Sequence, residues 1–331
     1  MTANALGVTL LDFQLPPFSR VSWVSDAARD VWEKRFEAID RAWPIWDIRC
    51  VASGQRSISL TYPEAGRITA LAPEVARFGL RTHVLGYDDM RNYGFREREL
   101  PAGGVITGPL VQGRLVCGAP DAVDAFLEAS GADDGATIEA LLGIPTCCAQ
   151  AHREAWIQHG MNDPTWATAR ATSASTSNLI ETRGHWTANV LLRSIGLRAV
   201  SHSPCRFDCD ATHAIGLSIQ QQARDNGEEQ LADWLEEILS WPVEWSMLHG
   251  IAEIKSPVLK ISTRTDATAH KHVVQLDGER FPEEGAQGLS FAYRDPGRLK
   301  VTESRSFHKG LAAPTGMAAD AAAVGRPGGD Q

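Results

Sequence analysis

The sequence predicts an α+β protein in which a small N-terminal domain that contains a sheet packs on a mainly helical domain with a late β-hairpin. Two observations predict this class. Short β-branched runs punctuated by glycine and proline are concentrated between residues 57 and 119, a pattern typical of strands. From residue 136 onward apolar residues recur at helical spacing. We therefore expect domains at residues 1–135 and 136–310.

The first half of the chain is expected to open with one amphipathic helix. Residues 22–45 repeat apolar positions at helical spacing, with Ser25 and Asp26 as candidate caps and Pro44 as the expected end. The predicted sheet follows over residues 57–119. The stretch APDAVDAFLEAS comes directly after it as a helix, which gives a strand-turn-helix unit.

The second half is expected to contain two long helical stretches and one extended stretch. Residues 136–160 and 231–250 have helical spacing, and a connection rich in Ser, Thr and Asn at 171–178 separates them. Residues 256–278 alternate in the manner of strands and predict the hairpin. Residues 311–331 are mostly Ala, Gly and Pro with little apolar surface to bury, so we expect a disordered tail.

Composition excludes several classes of protein. The 331 residues are 43% hydrophobic and 22% charged, as in soluble globular proteins. A net charge of -9 argues against nucleic-acid binding over the whole surface. The N-terminus lacks the features of a signal peptide, and no stretch reaches the roughly 18 apolar residues of a membrane span. We expect a cytoplasmic protein that binds neither nucleic acid nor membrane; its oligomeric state is left open.

Most of the functional information lies in the cysteines. In a reducing compartment they are better explained as ligands, nucleophiles or buried fillers than as disulfides. Four of the six fall in two segments, GIPTCCAQAH at 143–152 and SHSPCRFDCDATH at 201–213. Each segment places a proline just before an expected first helical turn and a cysteine inside that turn. The exposed N–H groups and positive end of a helix favour the thiolate there.

The spacing within each segment predicts which residues bind together. Residues four apart share one stripe of a helix, which groups Cys205 and Cys209 with His213 if 204–214 is helical. Neighbouring side chains on a helix point about 100° apart, so only one cysteine of the adjacent pair is expected to bind, and Cys148 is favoured. The expected metal ligands are Cys148, Cys205, Cys209 and His152, with Cys147, His202 or a substrate as alternatives for the fourth position. The expected catalytic residues are Cys147, His202 and His213.

The spacing also bears on the kind of metal. Structural zinc sites usually show Cys-x2-Cys or Cys2His2 patterns, and neither occurs here. Iron–sulfur clusters need cysteine thiolates with spacings that vary more between families. We therefore expect an iron–sulfur cluster of the [4Fe–4S] type, with one iron left open to act as a Lewis acid. Zinc is the alternative cofactor.

Polar residues outside the two segments are candidates for substrate contacts. Basic side chains can clamp a carboxylate or phosphate, which predicts a small anionic substrate. A polar stretch shortly before the second cysteine segment adds Arg183 and Asn189 as further candidates. Surface charge and helix capping explain the same residues without a substrate. The expected substrate-binding residues are Arg183, Asn189, Lys255, Lys260 and Arg264.

Three functions follow from these residues. The leading hypothesis is a metalloenzyme whose cluster acts in sulfur transfer or in a non-redox lyase reaction. The second is a zinc-stabilised accessory protein without catalysis. The third is a metal-free thiol enzyme with Cys205 as nucleophile and His202 as base.

Two stretches also resemble a known family. ALLGIPTCCAQAHREAW and the later NVLLRSIGLRAVSHSPCRFDCDAT resemble an uncharacterised prokaryotic family, the domain of unknown function DUF483. The shared features are a leucine-glycine turn that runs into Pro-x-Cys-Cys, and a His-x-x-Cys-x-x-x-Cys segment. The resemblance covers residues 115–215. It implies that the cysteines of the two segments belong together, and it carries no established activity.

Overall fold

The computed structural model describes most of the chain between the two termini. The described residues are 19–63, 65–89, 111–159, 164–265, 271–280 and 282. The predicted tail at 311–331 lies outside this part of the chain, as does the portion 90–110 of the predicted sheet.

The described residues form both helices and strands. The helices are α1 (Asp26–Ala52), α2 (Ala65–Ala76), α3 (Pro120–Gly131), α4 (Gly135–Leu141), α5 (Thr146–His159), α6 (Thr165–Thr172), α7 (Asp210–Arg224) and α8 (Glu229–Leu239). The strands are β1 (Ser19–Trp23), β2 (Ile58–Thr61), β3 (Arg81–Asp89), β4 (Val111–Gly118), β5 (Leu179–Thr182), β6 (Val243–Leu248), β7 (Ile251–Lys255), β8 (Leu259–Arg264) and β9 (His272–Leu276). The predicted α+β class is confirmed.

The helix predicted at 22–45 is α1, but its end was predicted wrongly. Ser25 is the N-cap, and its hydroxyl accepts a hydrogen bond from the N–H of Ala28 at 3.1 Å. The helix continues through Pro44 because its buried stripe continues beyond the proline, at Trp46 and Ile48. An interior proline removes a backbone hydrogen bond, and burial of these large side chains offsets that loss.

The larger sheet is mixed, with strand order β1-β8-β7-β6-β9-β5. Neighbouring strands are antiparallel except β5 and β9, which are parallel. Residues 256–278 form strands as predicted, β8 and β9, but these two do not pair with each other, because β7 and β6 lie between them; the late hairpins are β6–β7 and β7–β8. Residues 243–248, predicted to be helical, form β6; nearly every residue of β6 is buried, so the alternation that identifies a strand is absent.

The smaller sheet is antiparallel, with order β2-β4-β3. The stretch RITALAP, predicted to belong to this sheet, forms part of α2. Leu71 and Val75 of α2 pack with Leu115 on one face of the sheet, while Val123 and Phe126 of α3 pack with Ile58 and Val116 on the other. This sheet therefore has helices on both faces.

α1 is shared by both parts of the fold. Trp32, Phe36 and Trp43 lie in the main core, together with apolar residues of α7, α8 and the larger sheet, whereas Ile48 lies in the core of the smaller sheet. Trp32 packs edge-on against Trp241 with ring centroids 4.8 Å apart. α1 thus contributes to both cores, and the main core packs α7 against α1.

None of the helices among the described residues is both long enough and apolar enough to cross a lipid bilayer.

Candidate metal centre

Four cysteine side chains meet at the starts of α5 and α7. The Sγ atoms of Cys147, Cys148, Cys205 and Cys209 all lie within 4.8 Å of one another. The Sγ of Cys148 lies 3.9 Å from that of Cys147 and 3.8 Å from that of Cys209, and Cys147 and Cys209 are 3.9 Å apart. The prediction that the two segments meet is confirmed, and the group has the composition and spacing to hold a metal ion.

The turn before α5 brings both adjacent cysteines to the group. Gly143 has a positive φ of 65°, which ends the preceding helix sharply. The carbonyl of Pro145 then accepts hydrogen bonds from the N–H groups of Cys148 and Ala149, at 2.8 and 2.9 Å. Both cysteines fall in the first turn of α5. Only one of them was expected to reach the partner segment, but both sulfur atoms contact Cys209.

The second pair lies in a loop, and the helix predicted over 204–214 begins later. α7 starts at Asp210, and Cys209 is its N-cap residue. Phe207 explains the difference, since its side chain is fully buried in the core. Its N–H donates to the Thr172 hydroxyl and its carbonyl accepts from the His185 N–H, both at 2.8 Å, so this backbone is not free for helical bonds.

The loop is fastened closely to its neighbours. The Thr168 hydroxyl donates to the carbonyl of Pro204 at 2.9 Å. Gly184 leaves no room for a Cβ atom, which would overlap the backbone carbonyl of Phe207. These contacts hold the loop that carries Cys205 and Cys209 in place.

Burial and hydrogen bonding act in opposite directions on the thiols. Burial raises the pKa of Cys148 to about 11, partly offset by hydrogen bonds from Thr212 and the Cys205 backbone. Burial also raises the pKa of Cys205, and the neighbouring sulfur atoms add to the effect. Burial acts in the same direction on Cys209, but polar groups of Thr212 outweigh it and lower the pKa of that thiol to about 7.

Exposure differs across the group. Cys148 and Cys209 are buried, Cys205 is half-buried, and Cys147 is exposed. A metal held here would therefore be covered by protein on one side and would have one ligand at the surface.

Thr212, which was not among the predicted site residues, is fully buried beside the group. Its Oγ1 lies 3.3 Å from the Cys148 Sγ and 3.0 Å from the Nε2 of His202. The Cys205 N–H also donates to the Cys148 Sγ, at 3.3 Å. Polar groups that bond to metal ligands in this way orient them and tune their basicity.

The predicted histidines are placed differently from one another. His202 is buried near the group and reaches it through Thr212. His152 is exposed on α5 and does not belong to the convergent set. His213 stacks on His185 with ring centroids 4.1 Å apart, and its Nδ1 bonds the Thr187 hydroxyl at 2.8 Å.

The predicted substrate residues do not converge on the cysteines. Lys255 and Lys260 alternate with core residues of their strands, so they lie on the face of the larger sheet that points away from α1, α7 and α8. Lys255 pairs with Glu244 at 2.8 Å, and Lys260 pairs with Glu253. Arg264 ends β8, and its side chain lies outside the described part of the structure.

The other two predicted substrate residues have structural partners. Asn189 is fully buried; its amide donates to the carbonyl of Leu239 at 2.8 Å and accepts from the N–H of Leu191 at 3.1 Å. Arg183 is largely exposed and lies 3.7 Å from Asp277. Both sets of contacts stabilise the fold around the loop.

Comparisons of the chain with protein-family models, with curated proteins and with solved structures found no match. The resemblance to DUF483 therefore stays a prediction, and the cysteine group is the feature that bears on function.

Proposed function

We propose that Cys147, Cys148, Cys205 and Cys209 bind one zinc ion, which stabilises the fold by joining the start of α5 to the start of α7. The observation that carries this proposal is the spacing of the sulfur atoms. A Zn–S bond is about 2.3 Å, so the ligands of a tetrahedral site lie about 3.8 Å apart. Three pairs in the group lie at 3.8 to 3.9 Å.

The same spacing favours zinc over the iron–sulfur cluster expected from the sequence. In a four-iron cluster each thiolate binds a different iron at an outer corner, so the cluster separates the sulfur atoms more widely than a single ion does. The sulfur atoms of Cys147, Cys148 and Cys209 lie 3.8 to 3.9 Å apart, and all four sulfur atoms lie within 4.8 Å of one another, which leaves room between them for one ion. The single ion is therefore the better fit.

The number of ligands favours a stabilising role over a catalytic one. Four protein ligands complete the tetrahedral shell of zinc, whereas a catalytic site keeps one position for water or substrate. Lys255 and Lys260, two of the basic residues expected to orient an anionic substrate, are paired with carboxylates on the far face of the sheet. Of the functions that the sequence indicates, the zinc-stabilised protein agrees best with this geometry.

The proposal is tested by replacing cysteines one at a time in the full chain. Cys148→Ala and Cys209→Ala are expected to abolish stoichiometric zinc binding, because each removes a buried ligand. Cys50→Ala and Cys117→Ala are matched controls, since both cysteines are buried outside the group. The controls should keep one zinc per chain by elemental analysis. Equal zinc content in all four variants would refute the proposal.

A further inference from the structure

We infer that Thr212, oriented by His202, is a positioning residue of the metal centre: its hydroxyl donates to the Cys148 thiolate and determines how tightly the centre holds its ion. The inference rests on the proposed function and names the residues that tune it. It depends on the contacts of three side chains, Cys148, Thr212 and His202.

The three side chains form a continuous buried chain of hydrogen bonds. The Thr212 Oγ1 lies 3.3 Å from the Cys148 Sγ on one side and 3.0 Å from the His202 Nε2 on the other. Thr212 is fully buried, and only 9% of His202 is exposed. Buried polar groups at such distances are paired with one another, because water cannot replace the partner.

The direction of each bond follows from the number of protons. A metal-bound thiolate can only accept, so the single hydroxyl proton of Thr212 points to the sulfur. The Nε2 of His202 must then carry a hydrogen and donate it to the Thr212 oxygen. The order is therefore His202 N–H to Thr212 O–H to Cys148 sulfur.

The surroundings of His202 keep its imidazole ring neutral. Burial and the nearby Arg56 guanidinium lower the pKa of His202 to about 4, so the ring is neutral at neutral pH. Arg56 forms an ion pair with Asp47, which is fully buried and also accepts a hydrogen bond from Ser59. These residues belong to α1, β2 and the turn between them.

The donor matters because a zinc ion with four thiolates carries a net charge of about −2. The Cys148 sulfur receives a hydrogen bond from the Thr212 hydroxyl and another from the Cys205 N–H. Both withdraw negative charge from it. Loss of such a partner typically costs about 10- to 100-fold in metal affinity.

Cobalt-substituted protein tests this inference, because Co²⁺ bound by thiolates gives a thiolate-to-metal charge-transfer band in the near ultraviolet. The full chain is compared with Thr212→Val, which keeps the shape without the hydroxyl, and with Thr212→Ser, which keeps the hydroxyl. Thr61→Val is the matched control, since Thr61 is equally buried but lies in β2.

Thr212→Val is expected to bind Co²⁺ and Zn²⁺ about 10- to 100-fold more weakly, with the charge-transfer band moved to lower energy. Thr212→Ser should restore both the affinity and the band, and Thr61→Val should change neither. The inference is overturned if Thr212→Val keeps the wild-type affinity and band, or if the serine variant is as impaired as the valine variant. A wild-type chain that binds no metal overturns the proposed function, and this inference with it.

Discussion

The sulfur atoms of Cys148 and Cys209 lie 3.8 Å apart, although 61 residues separate the two cysteines in the chain. One is in the first turn of α5 and the other is the N-cap of α7, so the contact joins two helix N-termini. The positive ends of both helices favour negative charge between them. This arrangement gives little electrostatic stabilisation to protonated thiols, whereas it strongly stabilises thiolates around a cation.

Removal of the metal should destabilise the protein. An ion that binds only the folded state contributes about 4 kcal/mol when its free concentration is 1,000 times its dissociation constant. We expect a chelator to lower the midpoint of thermal unfolding by on the order of 10 °C, and added zinc to restore it. Scanning calorimetry with and without chelator measures the shift. The same chelator should leave the midpoint of Cys209→Ala unchanged; an equal shift in that variant would show that the effect does not come from the cysteine group.

Metal binding should release protons and weaken at low pH. Because burial raises the pKa of Cys148 to about 11 and raises that of Cys205 as well, both thiols are protonated at pH 7 in the metal-free protein. Each must lose its proton to become a ligand, so affinity rises with pH and falls as protons compete. Zinc added at pH 7 in weak buffer should release at least two protons per chain, as measured with an indicator dye. Release of fewer than two would mean that these thiols are not ligands.

The exposed cysteine should react first in the metal-free protein. Cys147 is exposed, whereas Cys148 is buried and bonded to Thr212. We expect iodoacetamide to modify Cys147 at least tenfold faster than Cys148 after chelation, because alkylation requires access to the sulfur. Mass spectrometry of peptides gives both rates, and zinc should slow both. Equal rates at the two sulfurs without metal would contradict the burial described above.

Gly184, which lies outside the cysteine segments, should affect how tightly the cysteine group binds zinc. At Gly184 a Cβ atom would overlap the carbonyl of Phe207, which lies between Cys205 and Cys209. We expect Gly184→Ala to displace the loop and to lower zinc affinity by at least tenfold, a loss typical of changes to the surroundings of metal ligands. Competition with a chromophoric chelator measures it.

The matched control for this glycine is Gly131→Ala. A Cβ atom there meets nothing within 4 Å, so this variant should bind zinc like the wild type. If the two variants bind equally well, the close approach of Gly184 to Phe207 has no bearing on the centre.

The cysteine group was predictable from the sequence because its information is local. Each segment carries a proline, cysteines and an expected helix start within about ten residues. Few structural features other than a thiolate site explain this combination. The exact conformation was not predictable. In the sequence, Phe207 is indistinguishable from any other apolar residue of a helix. Only its burial and its backbone hydrogen bonds to α6 and residue 185 explain why residues 204–209 form a loop.

The larger sheet was underestimated for a different reason. β1 pairs with β8, more than two hundred residues away, and no local pattern indicates such a partner. β6 is buried at almost every position, which removes the alternation of a half-exposed strand. Thr212 was missed because a single threonine has no distinctive pattern until its neighbours in space are known.

The central claim is that four cysteines hold one zinc ion, and it is tested most directly by metal and acid-labile sulfide analysis of protein purified without oxygen, with a visible spectrum of the same sample. The account predicts a colourless protein with one zinc per chain and no sulfide. A brown protein with iron and sulfide near four per chain would contradict it in favour of a cluster. A protein without metal would leave the four sulfur atoms as thiols.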